Sequence, residues 1–129
     1  MAARMKMEGS EGKKANVLVV EDEWWIAEMI TGILENAGYC VVGPADSVQT
    51  GLALIENHQI DAALLDVNLG TAMSYPIADA LIARDVPMLL TTGYHYKDLP
   101  RQYHGVPLLG KPTTPQRILA ALTQLLKAD

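Results

Sequence analysis

Four times along this chain a short apolar run is followed at once by polar groups. Val17-Leu18-Val19-Val20 ends in Glu21-Asp22-Glu23, and Ala62-Ala63-Leu64-Leu65 ends in Asp66. Met88-Leu89-Leu90 ends in Thr91-Thr92-Gly93, and Val106-Pro107-Leu108-Leu109 ends in Gly110-Lys111-Pro112. Continuous runs of this length read as strands buried on both faces. Strands are expected over 16–21, 39–43, 60–66, 86–92 and 106–109. Between them lie helical patterns: 24–37, a helix capped by Asp46 or Ser47, 75–84, and a last helix opened by Thr114-Pro115. Such alternation implies an α/β fold, a parallel sheet covered on both faces with right-handed crossovers. Five strands suit the order 2-1-3-4-5, whose switch point lies between strands 1 and 3, and ligands bind beyond the carboxyl ends there. Glu21, Asp22 and Asp66 sit at the ends of those two strands.

One segment breaks the pattern. Tyr94 to Gly105 contains Pro100 at its middle and lacks an apolar stripe, with Leu99 its only aliphatic side chain before the next strand. A helix there would carry a proline cost of about 3 kcal/mol, so the expectation is a short or irregular fourth helix in a mobile segment that a partner reads through Tyr94, Tyr96 and Tyr103.

The 129 residues suffice for one domain with one core. No apolar run approaches the roughly 18 residues of a membrane span, and the start has no apolar signal core. Net charge is −5, but residues 1–14 hold four basic and two acidic groups, so the rest carries −7. An acidic body argues against nucleic-acid binding. Residues 1–14, with Gly9-Ser10 and Gly12, read as a disordered tail, not necessarily native, ahead of a domain over 15–129. The lone Cys40 cannot form an internal disulfide, which fits a cytoplasmic protein, and its strand position suggests burial. One of Trp24 and Trp25 is expected to pack inward and the other to stand at the mouth of the acidic pocket. Gly32 is expected to serve close packing. His58, His95 and His104 lack ligand spacing and read as loop residues.

Any one of these acids alone reads as a solvated turn residue or helix cap. Their conjunction in this chain order suggests a site. Three clustered carboxylates repel one another and raise one another's pKa unless a cation is bound. Mg²⁺ takes oxygen ligands and keeps several waters. With the cation present, Asp66 stays ionised and can attack phosphorus, Lys111 can neutralise phosphoryl oxygens, and Thr92 can donate a hydroxyl hydrogen bond to one of them.

At this point Val19-Val20-Glu21-Asp22-Glu23, Leu64-Leu65-Asp66-Val67-Asn68, Thr92-Gly93 and Lys111-Pro112 resemble the signatures of response-regulator receiver domains, over residues 16–127. The resemblance implies a flavodoxin-like doubly wound five-stranded parallel sheet. It implies that Asp66 is the phospho-acceptor, Asp22 a direct Mg²⁺ ligand, Glu21 a ligand through water, and the main-chain carbonyl of Asn68 a further ligand. Thr92 and Lys111, with the backbone at Asn68 and Gly93, would bind the phosphoryl group, and the Lys111–Pro112 bond would be cis. Leu90-Thr91-Thr92-Gly93-Tyr94, Tyr75-Pro76-Ile77-Ala78-Asp79-Ala80-Leu81 and Leu99-Pro100 are similar to the "FAT GUY" subgroup of single-domain receivers, with Leu90 and Thr91 in place of its Phe and Ala. Three departures stand out: Glu21 replaces the commoner Asp, Leu108 stands where many receivers carry a switching aromatic, and Thr113 follows Lys111-Pro112 where Phe is usual. Tyr94 is the candidate substitute switch.

The function this implies is phosphorelay signalling, with a sensor histidine kinase as donor and a histidine phosphotransfer protein or other signalling protein as a further partner. Nothing after Lys127 suggests an output domain, so output is expected through protein contacts or phosphoryl relay, with no nucleic acid or membrane and no reaction catalysed beyond the domain's own phosphorylation and dephosphorylation. Two alternatives compete. One is a phosphohydrolase forming an aspartyl phosphate, which would need a general acid two residues past Asp66, where Asn68 stands. The other is an unphosphorylated receiver-like adaptor, against which the intact Asp22, Asp66, Thr92 and Lys111 argue.

Overall fold

The computed structural model describes residues 14–93 and 98–127. Its elements are β1 (Asn16–Val20), α1 (Trp24–Asn36), β2 (Cys40–Ala45), α2 (Val48–Asn57), β3 (Ala62–Asp66), α3 (Tyr75–Ala83), β4 (Met88–Thr92), β5 (Leu108–Gly110) and α4 (Pro115–Lys127). All strands are parallel, in the order β2-β1-β3-β4-β5. This is the doubly wound topology the alternation predicts.

The pleat of β1 feeds two cores. Leu18 and Val20 join Leu65, Ile77, Leu81 and Leu90 on the α2/α3 face. Val17 and Val19 join Ile30, Leu34, Leu89, Ile118 and Leu122 on the α1/α4 face. Side chains alternate between the two faces, and both faces are covered, so the sequence runs apolar without interruption. Each large aliphatic side chain buried this way contributes roughly 1.5–3 kcal/mol.

Register then aligns the strand ends. Val20 pairs with Leu65, Asp66 with Thr91 and Thr92 with Gly110. The chain therefore delivers Glu21, Asp66, Thr92 and Lys111 to one edge. The Glu21 N–H donates to the Ala45 carbonyl at 2.9 Å, and the Lys111 N–H to the Thr92 carbonyl at 2.9 Å.

Several local expectations are revised. β2 does not stop at Gly43 but continues through Gly43–Pro44 to Ala45. Pro44 is tolerated because β2 is an edge strand. Gly43 has φ +99°, and a Cβ there would lie 2.8 Å from the Ala45 nitrogen, so only glycine fits. Cys40 is exposed, since it opens this edge strand. Both tryptophans are exposed, Trp24 at 77% and Trp25 at 56%. The buried stripe of α1 is Ala27, Ile30 and Leu34, which turns the first helical residues outward. Gly32 meets nothing within 4 Å where a Cβ would stand, so no packing requires it. Ser47, not Asp46, caps α2, its Oγ accepting the Thr50 N–H at 3.2 Å.

From Asp98 on, the segment after β4 is more anchored than expected. Tyr94 to Lys97 lie outside the described residues, as do residues 1–13 of the expected tail. From Asp98 on, no α-helix precedes β5 among the described residues; Arg101–Tyr103 form a short 3-10 turn. Yet Leu99 and Tyr103 are buried in the α2/α3 core. Tyr103 stacks on Tyr75 with centroids 5.0 Å apart and planes 12° apart. It is thus a packing residue, not an exposed surface for a partner.

Candidate functional site

At the carboxyl edge of the sheet, a cleft of about 460 Å³ is lined by Asp22, Glu23, Asp66, Asn68, Gly70, Thr92, Gly93 and Lys111. Glu21 lies beneath it; Glu21 and Asp66 are each 3% exposed, and Thr92 is also buried. Carboxylate oxygens of Glu21, Asp22 and Asp66 lie within 4.8 Å of one another. Among the described residues, the one ammonium in contact is Lys111, whose Nζ donates to Asp66 Oδ2 at 2.9 Å and lies 3.8 Å from Glu21 Oε1.

The electrostatics follow from this crowding. Burial pushes the Glu21 carboxyl up, and the Asp66 charge pushes it further, to about 7; the Glu23 N–H and the Lys111 charge only partly offset this. Burial pulls Lys111 down, but its hydrogen bond to Asp66 and the charges of Asp66 and Glu21 outweigh that and hold it above its ordinary value. Among the described residues, the three carboxylates outnumber this ammonium, so the cluster has an excess of negative charge. An all-oxygen donor set of this kind fits a hard divalent cation.

The expected residues are thus brought together: Asp22, Asp66, Asn68, Thr92, Gly93 and Lys111 in the cleft, and Glu21 under it. Tyr94 falls outside the described residues. The Lys111–Pro112 peptide is cis, and so is Gly43–Pro44. Two neighbours were not anticipated. Gly70, at φ +86°, lies so near Asp22 that a Cβ would stand 3.1 Å from Oδ2. Ser74, fully buried, donates its hydroxyl to the Asp66 main-chain carbonyl at 2.7 Å. Their only signal in the sequence is a glycine in a loop and a serine just before Tyr75-Pro76, neither specific.

A second cavity of about 440 Å³ runs from Glu21 and Lys111 between α1 and the start of α4, lined mainly by Trp25, Ile26, Met29, Ile33, Pro115 and Ile118.

The sequence model of the response regulator receiver domain matches residues 17–123. The chain belongs to that family. SdrG from Sphingomonas melonis Fr1, in its solution structure, is 40% identical, with a TM-score of 0.75 over 88% of this chain and 97% of that one. A CheY-like receiver domain protein from Methanospirillum hungatei JF-1 is 27% identical, with a TM-score of 0.79 over 89% of this chain and 95% of that one. The transcriptional regulatory protein PdtaR of Mycobacterium tuberculosis is 29% identical over 84 residues, 64% of this chain and 41% of that protein. YvrH of Bacillus subtilis is 33% identical over 58 residues, 45% of this chain and 24% of that protein. The chain therefore spans less than half the length of these curated relatives. As a receiver domain it is a signalling module of two-component systems. Among the described residues, no helix is long and apolar enough to cross a membrane.

Proposed function

We propose that this receiver accepts a phosphoryl group on Asp66 from a histidine kinase or a histidine phosphotransfer protein, in the cytoplasm and with Mg²⁺, and signals through protein contacts. The observation that carries the reading is the Lys111 ammonium 2.9 Å from Asp66 Oδ2, where carboxylate oxygens of Glu21, Asp22 and Asp66 lie within 4.8 Å of one another. Asp22, Asp66 and the Asn68 carbonyl would hold the cation directly, with Glu21 acting through water. The bound cation would supply positive charge to the phosphoryl oxygens. A carboxylate oxygen of Asp66 forms the new bond to phosphorus as the bond to the donor nitrogen breaks, and the electron pair leaves with the donor imidazole. Lys111 neutralises a phosphoryl oxygen, and the Thr92 hydroxyl and the backbone N–H groups at Asn68 and Gly93 donate to the others. Tyr94 is the proposed switch residue, since Leu108 leaves no aromatic on β5. The domain acts on itself and turns over no separate substrate.

The relative SdrG is known in a BeF3-activated conformation, 40% identical with a TM-score of 0.73, which supports beryllofluoride as a probe here. The phosphohydrolase alternative is disfavoured because Asn68 holds the general-acid position, and its Oδ1 accepts the Gly70 N–H at 2.8 Å. Incubating the purified chain with acetyl phosphate and Mg²⁺, and separately with a phosphorylated kinase, should add one phosphoryl group per chain by intact mass. No gain from either donor would leave the adaptor reading.

A further inference from the structure

Ser74 is the N-cap residue of α3, yet its side chain makes no cap hydrogen bond. A serine in this position ordinarily caps its helix. Here the hydroxyl turns the other way. It is 1% exposed and donates to the Asp66 carbonyl at 2.7 Å. The next N–H in the chain, that of Val67, donates to the Thr91 carbonyl at 3.0 Å. The peptide unit joining Asp66 to Val67 is therefore gripped at both ends, by Ser74 on its carbonyl and by β4 on its N–H. Its orientation sets ψ of Asp66, and with it the direction in which the carboxylate meets Lys111. Ser74 is itself fixed. Its N–H donates to the Val67 carbonyl at 2.8 Å, and its carbonyl accepts from Ile77 and Ala78 at 3.0 and 3.2 Å.

We infer that Ser74 is a positioning residue for phosphoryl transfer, its hydroxyl holding the Asp66–Val67 peptide so that the carboxylate faces the incoming phosphorus. This rests on the reading of Asp66 as acceptor. In-line attack is sensitive to displacements well under the length of a bond, and a 1 Å misplacement costs on the order of a hundred-fold in rate. Loss of one of two grips should cost less.

The test follows phosphate incorporation by intact mass against acetyl phosphate concentration at saturating Mg²⁺, for the wild-type chain, Ser74→Ala, Ser74→Thr and Ile55→Val. Ile55 is a buried residue of α2 away from the cleft, and its truncation reports what stability loss alone does. Ser74→Ala should lower the maximal rate roughly ten-fold and leave the half-saturating donor concentration within about two-fold. Ser74→Thr, which keeps the hydroxyl, should restore most of the rate, and Ile55→Val should leave it unchanged. If Ser74→Ala does not fold, Ser74→Cys carries the same comparison with a weaker donor and should slow the reaction several-fold. A wild-type rate in the variant lacking the hydroxyl, or equal slowing by Ile55→Val, overturns the inference while Asp66 keeps its role. A wild-type chain that takes no phosphate overturns both.

Discussion

The Tyr103 hydroxyl donates to Asp79 Oδ1 at 2.6 Å, linking the segment after β4 to the outer side of α3. The same ring lies flat on Tyr75 and is almost wholly buried. Burial first, and then the hydrogen bond to the Asp79 carboxylate, push the phenol up to about 12, so it remains the donor at any physiological pH. This contact substitutes for a docked helix: one aromatic side chain holds a stretch that has few aliphatic ones.

Tyr103→Phe removes only the hydrogen bond and should destabilise the domain by about 1 kcal/mol, because Asp79 regains water. Tyr103→Ala removes the ring as well and should cost about 3–5 kcal/mol. Chemical denaturation measures both. In hydrogen exchange, residues 99–104 should lose protection in Tyr103→Phe before β3 does.

The raised pKa of Glu21 sets a pH dependence. The folded state keeps a proton between about pH 4.5 and about 7 that the unfolded chain has already lost. Stability of the metal-free protein should therefore fall as pH rises through that window. Melting curves across the window would show it. Added Mg²⁺ should flatten the slope, as should Glu21→Gln.

Lys111→Met should remove the ammonium that contacts the Asp66 and Glu21 carboxylates. Without Mg²⁺ the variant should melt below the wild type, and the difference should shrink as Mg²⁺ is added, because a divalent cation offsets the same repulsion. Phosphorylation should slow even at saturating Mg²⁺. A melting difference indifferent to Mg²⁺ would separate Lys111 from the acidic cluster.

Two helix glycines should respond in opposite directions. Gly32→Ala meets open space and should stabilise by about 1 kcal/mol, the propensity difference. Gly51→Ala would place a Cβ 2.5 Å from Ile77 Cδ1, in a buried contact between α2 and α3. Overpacking of about 1–3 kcal/mol should outweigh the propensity gain.

The sheet and the acidic edge were legible because they depend on short-range patterns: doubly buried strands are continuous apolar runs, and each ends in its functional group. What was not legible depends on contacts across the fold. Nothing local in Tyr94–Gly105 says that Tyr103 will find Tyr75 and Asp79 on α3. Nothing local turns the Ser74 hydroxyl from its own helix toward Asp66. Trp24 and Trp25 have the composition of core residues, but the buried stripe of α1 begins at Ala27. Gly51 looks like any helix glycine until α3 packs against it, whereas Gly32 sits on an open face.

Mg²⁺ should bind before phosphorylation and change the fluorescence of Trp25, which lines the cavity shared with Glu21 and Lys111, or of Trp24 beside it. Asp22→Ala should abolish the response and the phosphorylation together. A variant that still takes phosphate at the wild-type rate would remove Asp22 from the metal site.

Asp66 alone should carry the phosphoryl group, and intact mass spectrometry of Asp66→Asn checks this. The substitution preserves shape and removes the nucleophilic charge. Exposed to acetyl phosphate and Mg²⁺ beside the wild type, the variant should gain no mass while the wild type gains one phosphoryl group. Incorporation by Asp66→Asn to the wild-type level would contradict the account.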